Sequence, residues 1–150
     1  MITDKETNTI YFSEKLKEKF PDTANKIFST LNLLGTIPAF LYETNDIWVR
    51  DYMPVQVSDS KFIECRYDPD YLQGKEKGCL DLKTYPDMVC DKLGLKTVKS
   101  DLILDGDNVV KSSNSVILTD KVVVENKHKY RKDQLINDLR KLFEVEKVVF

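Results

Sequence analysis

The same order of structural signals occurs twice along this chain, and this repetition limits the folds it can adopt more than any other feature. Apolar residues recur at helical spacing from Ala24 to Leu34 and again from Tyr85 to Leu93, and a glycine follows each run. After each helix the sequence predicts a strand, a polar acidic loop and a hairpin. The two series are offset by roughly 55 to 60 residues, which indicates a structural repeat.

A third series begins with a helical face at Leu135, Leu139 and Leu142 and stops after an apolar strand that ends at Phe150. Because an open apolar strand offers unpaired backbone groups to other chains, we predict that these residues form part of a larger fold. Helices are predicted over residues 13–20, 22–34, 85–93 and 135–142. Strands are predicted over residues 37–42, 55–57, 61–67, 95–104, 109–111, 116–118 and 145–150.

Composition places the 150 residues in one globular domain, with 41% hydrophobic and 32% charged residues. The net charge of −2 and the lack of a basic cluster make nucleic acid an unlikely partner. No long apolar run and no apolar leader is present, so we expect no membrane partner and a cytoplasmic location.

The three cysteines, Cys65, Cys79 and Cys90, form no C-x-x-C pair, which argues against a disulfide framework or a zinc ribbon. We expect them to be reduced thiols, with Cys65 packed inside a hairpin strand, and we expect His128 to be a surface residue. No cofactor and no metal is expected.

The densest group of polar and aromatic residues spans positions 45–54, directly after a predicted strand. Trp48 precedes Asp51 by three residues, and a flat indole beside a carboxylate can hold a planar guanidinium by stacking and forked hydrogen bonds. The alternative is structural: Trp48 would belong to the core, and Arg50 would pair with Asp46 or Asp51 to fix the loop.

A second acidic loop, Asp105-Gly106-Asp107-Asn108, occupies the equivalent place in the second series. Its glycine allows a close approach of backbone, and its alternative interpretation is a tight turn or bulge. A calcium loop of EF-hand type is disfavoured, because Val116 stands where the closing glutamate would be needed.

In both of these loops the sequence resembles the family of agmatine deiminases and bacterial peptidylarginine deiminases, which are pentein-type enzymes. Residues 46–54 match the family's W-x-R-D-x-x-P segment, and residues 67–72, 104–110 and 144–150 add further matches. The resemblance implies an α/β (α+β) fold: a partial pentein propeller with about two ββαβ-type units and the start of a third. It also implies hydrolysis of a guanidino group to a ureido group and ammonia, on agmatine, an arginine derivative or peptidyl arginine.

By motif match, Asp51 is the catalytic carboxylate that grips substrate, and Trp48 is the neighbouring wall of the pocket. Asp105 and Asn108 match a loop that shapes the site or contacts substrate. Asp107 replaces the second glycine of the family's Gly-Gly-Asn, which would add strain if that position uses positive φ, and adds charge near substrate.

The family's catalytic cysteine and histidine match no segment of this chain, so we predict that it is inactive alone. The alternatives are a guanidino-binding or assembly module, or half of a split enzyme. In these, the open sheet edge would pair with a second copy or with a C-terminal half.

Overall fold

The computed structural model describes residues 1–6, 8–74 and 80–150, in which eight short strands form three small sheets. The strands are β1 (Tyr11–Ser13), β2 (Ala39–Leu41), β3 (Val55–Gln56), β4 (Phe62–Arg66), β5 (Thr97–Ile103), β6 (Val110–Lys111), β7 (Ser115–Ile117) and β8 (Lys147–Val149). The helices are α1 (Lys15–Lys19), α2 (Pro21–Leu33), α3 (Val49–Tyr52), α4 (Pro86–Lys92), α5 (Lys121–Asn126) and α6 (Lys132–Phe143). Short 3-10 helices span Asp4–Glu6, Asp70–Leu72, Leu80–Leu82 and Gly106–Asn108.

The second and third sheets have the same topology. In each, a hairpin is followed by a helical crossover and a parallel strand: β3 and β4, then α4, then β5; and β6 and β7, then α5 and α6, then β8. In the first sheet β1 pairs in parallel with β2 across α1 and α2. The described residues therefore contain two complete ββαβ units and, ahead of them, one βαβ unit.

The repeat predicted from the sequence is confirmed, but its boundaries lie elsewhere. The sequence placed the start of each unit at a helix, whereas each helical crossover joins two strands of one sheet. The boundaries between units therefore fall before the hairpins. The last strand, predicted to belong to an unfinished third unit, instead pairs with β7 from Ser115↔Lys147 to Ile117↔Val149 and forms the third strand of the third sheet.

Helix α2 forms as predicted but is far less buried than predicted. Pro21 occupies its first turn, where a missing N–H costs nothing, and Gly35 follows its end with φ of +70°. Ala24 is its one buried residue, and Leu33 is 87% exposed. No helix within the described ranges is long and apolar enough to cross a membrane.

Helix α5 was not predicted, because its three consecutive valines favour a strand by intrinsic preference. Tertiary contacts hold it as a helix. Val122 is completely buried, and Asn126 Nδ2 donates to the Ile103 carbonyl (2.8 Å) while its Oδ1 accepts from the Ile103 N–H (3.0 Å). These two bonds fix α5 to strand β5.

Two apolar clusters hold the units together. The larger one joins the second and third sheets to α5 and α6; its members include Ile63, Val116, Val122, Leu139 and Phe143. The smaller one lies between the first and second sheets and contains Leu41, Tyr52, Tyr67, Leu72 and Val89. Both clusters border the loops that carry the candidate site.

Candidate functional site

The polar residues after β2 build a rigid loop. Asp46 Oδ1 accepts a hydrogen bond from the Trp48 N–H at 3.0 Å, which closes a tight Asx-type turn. Asn45 donates from its backbone to Thr84 Oγ1 (2.9 Å) and from Nδ2 to the Lys83 carbonyl (2.6 Å). Asp46 is buried, and burial raises the pKa of its carboxyl. Asn45 and Asp46 of the predicted 45–54 cluster therefore hold the backbone of this loop in place.

Helix α3 follows this loop; Trp48 directly precedes the helix, and Asp51 lies within it. The Asp51 N–H donates to the Trp48 carbonyl at 3.0 Å, and residues three apart on a helical turn are neighbours. Trp48 is 65% exposed, so the alternative that placed it in the core is wrong. Asp51 is half-buried, and within the described residues its carboxylate accepts no hydrogen bond.

Arg50 and Gly106 join the first acidic loop to the second. Arg50 donates from Nε to the Gly106 carbonyl (3.1 Å) and from Nη2 to the Val109 carbonyl (3.0 Å). These contacts take the place of the predicted pairing with Asp46 or Asp51. A Cβ on Gly106 would lie 2.0 Å from the Arg50 carbonyl oxygen, so only glycine fits there. The predicted close backbone approach is confirmed.

This junction gathers carboxylates around Asp51. Burial, together with the charges of Asp107, Asp105 and Asp46, raises the pKa of Asp51 to about 7. Asp107 lies in the 3-10 helix Gly106–Asn108 without positive φ; the described non-glycine residues with positive φ are Glu43 and Glu144. Asp107 therefore adds charge at the site without the backbone strain that a positive φ would bring.

Asp105 is only 4% exposed and is held by a lysine. Lys121 Nζ donates to Asp105 Oδ2 at 2.6 Å, while Asp105 Oδ1 is buried without a hydrogen-bond partner among the described residues. Burial raises the pKa of Asp105 although Lys121 opposes the shift. Asn108 Oδ1 accepts from the Thr119 N–H at 2.8 Å, so this side chain shapes the loop.

Sequence reasoning missed a second layer of residues at this site. The hydroxyls of Tyr67 and Tyr71 share a hydrogen bond of 3.2 Å, and Lys121 Nζ lies 4.6 Å from the centre of the Tyr71 ring. Glu125 Oε1 accepts from the Asp70 N–H at 3.2 Å. The 67–72 segment was recognised as a family match without a role. Lys121 and Glu125 are four positions apart, a spacing that indicates an ion pair only if the segment is helical. Helix α5 was not predicted, so this pair could not be predicted either.

The described cysteines are poor nucleophiles. Cys65 and Cys90 are both buried, and burial raises the pKa of each thiol to about 12, so neither is a thiolate near neutral pH. The packing predicted for Cys65 is confirmed, and His128 is exposed as predicted. Cys79 lies outside the described residues. In the described ranges no three or more His, Cys, Asp or Glu side chains are grouped so that they could hold a metal ion.

A cavity of about 520 Å³ adjoins the other side of α3 and is lined there by Val49, Arg50 and Met53 together with Gly106. Asp51 and Trp48 do not line it. The acidic cluster is instead a surface site, bordered by the exposed side chains of Trp48 and Asp107.

Comparison with solved structures shows the same fold in deiminases. An agmatine deiminase from C. jejuni matches with a TM-score of 0.65 at 15% identity, over 95% of this chain and 52% of that one. A substrate-bound form of the C. jejuni enzyme gives 0.62 at 16% identity, over 95% and 53%. The agmatine deiminase of Enterococcus faecalis gives 0.59 at 14% identity, over 93% and 49%.

The chain thus spans about half the length of these solved structures. No curated protein matches it by sequence. The family model described as Porphyromonas-type peptidyl-arginine deiminase matches residues 1–150. Because that match covers the whole chain, the protein belongs to the Porphyromonas-type peptidyl-arginine deiminase family.

Proposed function

We propose that the surface around Asp51 and Trp48 binds the guanidino group of agmatine or of an arginine derivative, the group that a deiminase converts to a ureido group and ammonia. The observation that carries this proposal is the state of Asp51. Its carboxylate is half-buried, accepts no hydrogen bond within the described residues, and interacts with the charges of three other carboxylates, three positions after the exposed Trp48.

A guanidinium suits this arrangement on electrostatic grounds. The charges of Asp46, Asp105 and Asp107 disfavour the ionised form of Asp51, and a bound cation would relieve that repulsion. A guanidinium can donate two parallel hydrogen bonds to a carboxylate while its flat face stacks on an aromatic ring. A simple ammonium lacks both the fork and the flat face.

In this proposal Asp51 orients the group under attack, Trp48 forms a wall, and Asp105 and Asn108 shape the acidic loop. Orientation of this kind is a major source of catalytic rate, and it needs no proton transfer from these residues. We assign the covalent step to neither Cys65 nor Cys90, because both thiols are buried and protonated.

Isothermal titration calorimetry tests the binding step. At about pH 8, where Asp51 is mostly ionised, we expect agmatine to bind and 1,4-diaminobutane, which lacks the guanidino group, to bind much more weakly. Asp51→Asn should abolish binding. Asp101→Asn, which removes an exposed carboxylate paired with Lys129 elsewhere on the surface, should leave it unchanged. Equal affinity of the Asp51→Asn protein would remove Asp51 from the proposed role.

A second proposal concerns turnover: these residues bind guanidino compounds but do not hydrolyse them without further catalytic groups. The burial of the described thiols supports it. Ammonia release from agmatine should be absent for the purified chain, with and without iodoacetamide. Release that iodoacetamide abolishes would contradict this proposal and show that the nucleophile is a cysteine of this chain or of a tightly held partner.

A further inference from the structure

Helix α5 carries two charged side chains, one turn apart, that reach two different segments of the site. Lys121 binds Asp105 Oδ2 at 2.6 Å and lies 3.6 Å from Glu125 Oε1. Glu125 in turn accepts a hydrogen bond from the Asp70 backbone, and the Tyr71 ring lies against the Lys121 ammonium. One helical turn thus connects the Asp105 loop to the 67–72 segment.

Asp105 is the member of this group that belongs to the second acidic loop of the candidate site. Its neighbour Gly106 packs directly against the backbone of α3, where the Arg50 and Asp51 carbonyl oxygens are 2.0 and 3.6 Å from the position of a Gly106 Cβ. A shift of the Asp105 loop would therefore move the turn that carries Asp51. The ion pair is also well shielded, because the Asp105 side chain is 5% exposed and that of Lys121 is 33% exposed.

We propose that Lys121 is a positioning residue: it holds the Asp105 loop against α3 and offsets part of the negative charge that faces Asp51. This inference rests on the proposed function, because the charge presented by Asp51 is what a guanidinium would bind. Lys121 itself would touch no substrate.

The groups whose charges interact with Asp51 come from four segments: Asp46 from the loop before α3, Asp105 and Asp107 from the second acidic loop, Tyr67 and Tyr71 from the 67–72 segment, and Lys121 from α5. Of these, the three carboxylates raise the pKa of Asp51, and Lys121 lowers it. Without Lys121, Asp51 would stay protonated to a higher pH, and a neutral carboxyl loses most of its attraction for a cation.

The test begins on the ligand-free chain, with the ¹³C chemical shift of the Asp51 carboxyl followed by NMR as pH is raised. Lys121→Met should raise the midpoint of the Asp51 titration by about half a pH unit, and Lys121→Arg should keep it near the wild-type value. Lys129→Met is the matched control, since Lys129 pairs with the exposed Asp101 outside the site. Lys121→Gln keeps a hydrogen-bond donor for Asp105, removes the charge, and should shift the midpoint as Lys121→Met does even if the latter folds poorly.

Calorimetry with agmatine then links this shift to binding. Near pH 7 fewer Lys121→Met molecules carry an ionised Asp51, but the site is also more negative, so the affinity for agmatine should stay close to that of wild type. By about pH 9, where Asp51 is ionised in both proteins, Lys121→Met should bind agmatine about threefold more tightly. A purely structural loss would weaken binding equally at every pH. An unchanged Asp51 midpoint in the Met and Gln variants, or no rescue by arginine, would overturn the inference. Absent agmatine binding in all proteins, with the midpoint still shifted, would overturn the proposed function and leave the role of Lys121 standing.

Discussion

Asp51 illustrates how a single residue can serve a site at the expense of stability. An aspartate in an unfolded chain titrates with a pKa of about 3.9, whereas in the folded protein burial and neighbouring carboxylates raise the pKa of Asp51 to about 7. Between these values the folded state holds a proton that the unfolded state has lost. The contribution of Asp51 to stability therefore falls as pH rises from about 4 to about 7, and stays low above that.

We expect Asp51→Asn to be more stable than wild type above about pH 7, by about 1 to 2 kcal/mol once the partial exposure of the side chain is allowed for. Below about pH 4 the difference should vanish, because the wild-type carboxyl is then protonated in both states. Urea unfolding across this pH range measures it. A stability difference that does not change with pH would show that Asp51 is not held protonated by its surroundings.

Gly106 sets the distance between the two acidic loops. A methyl group there would meet the Arg50 carbonyl oxygen at 2.0 Å, so Gly106→Ala must push α3 and the Asp105 loop apart. We expect a loss of about 1 to 3 kcal/mol in unfolding free energy and a changed Asp51 titration.

Gly94→Ala is the control for this prediction, because Gly94 has φ of +64° and open space around it. It should cost about 1 to 2 kcal/mol through backbone conformation alone and leave the Asp51 titration unchanged. An unaltered Asp51 midpoint in Gly106→Ala would contradict the role given to this contact.

The sequence predicts a site residue when the signal for it lies in one short segment. Trp48 and Asp51 stand three positions apart in one recognisable segment, so they could be predicted. Arg50 bonds carbonyl groups that are 56 and 59 residues further along the chain, and Lys121 reaches Asp105 from an unpredicted helix. Contacts of this kind arise from the packing of separate units, and a single sequence does not specify them.

Whole helices and strands show the same difference between local signals, which the sequence carries, and contacts between distant segments, which it does not. Apolar periodicity and a terminal glycine identified α2 to within one residue at each end, because these signals are local. Its burial was overestimated, since the periodic face of α2 buries only Ala24, whereas that of α6 buries Leu135, Leu139 and Phe143. Periodicity shows which face can be covered, and the neighbouring elements decide how much of it is.

This difference between the helices can be measured with a pair of identical substitutions. Leu139→Ala on α6 removes a completely buried side chain from the larger apolar cluster and should cost about 2 to 5 kcal/mol. Leu33→Ala on α2 removes a side chain that is 87% exposed and should change stability by no more than about 0.5 kcal/mol. Comparable losses in urea unfolding would mean that α2 packs more tightly than its exposure indicates.

Across the whole molecule, packing is uneven between the first sheet and the other two. Among the described residues, the larger cluster joins both three-stranded sheets with α5 and α6, while the smaller one connects the two-stranded first sheet to the second. Helix α2 is held on the first sheet mainly by half-buried aromatic rings, with Phe28 at 5.3 Å from Phe12 and 5.1 Å from Phe40 between ring centres. The first unit therefore has the fewest buried apolar contacts to lose on opening.

Local opening should follow this gradient, because segments with few buried apolar contacts open at lower free energy than the core. In native-state hydrogen exchange we expect the amides of α2 and β2 to exchange through local opening, and those of α6 and β7 to exchange only on global unfolding. Denaturant should then accelerate the exchange of the α6 and β7 amides far more than that of the α2 and β2 amides. Leu139→Ala provides an internal check, since it should speed exchange in α6 without changing α2. Equal protection of α2 and α6 would instead mean that the three sheets unfold as one unit, and that the first sheet is as stable as the core.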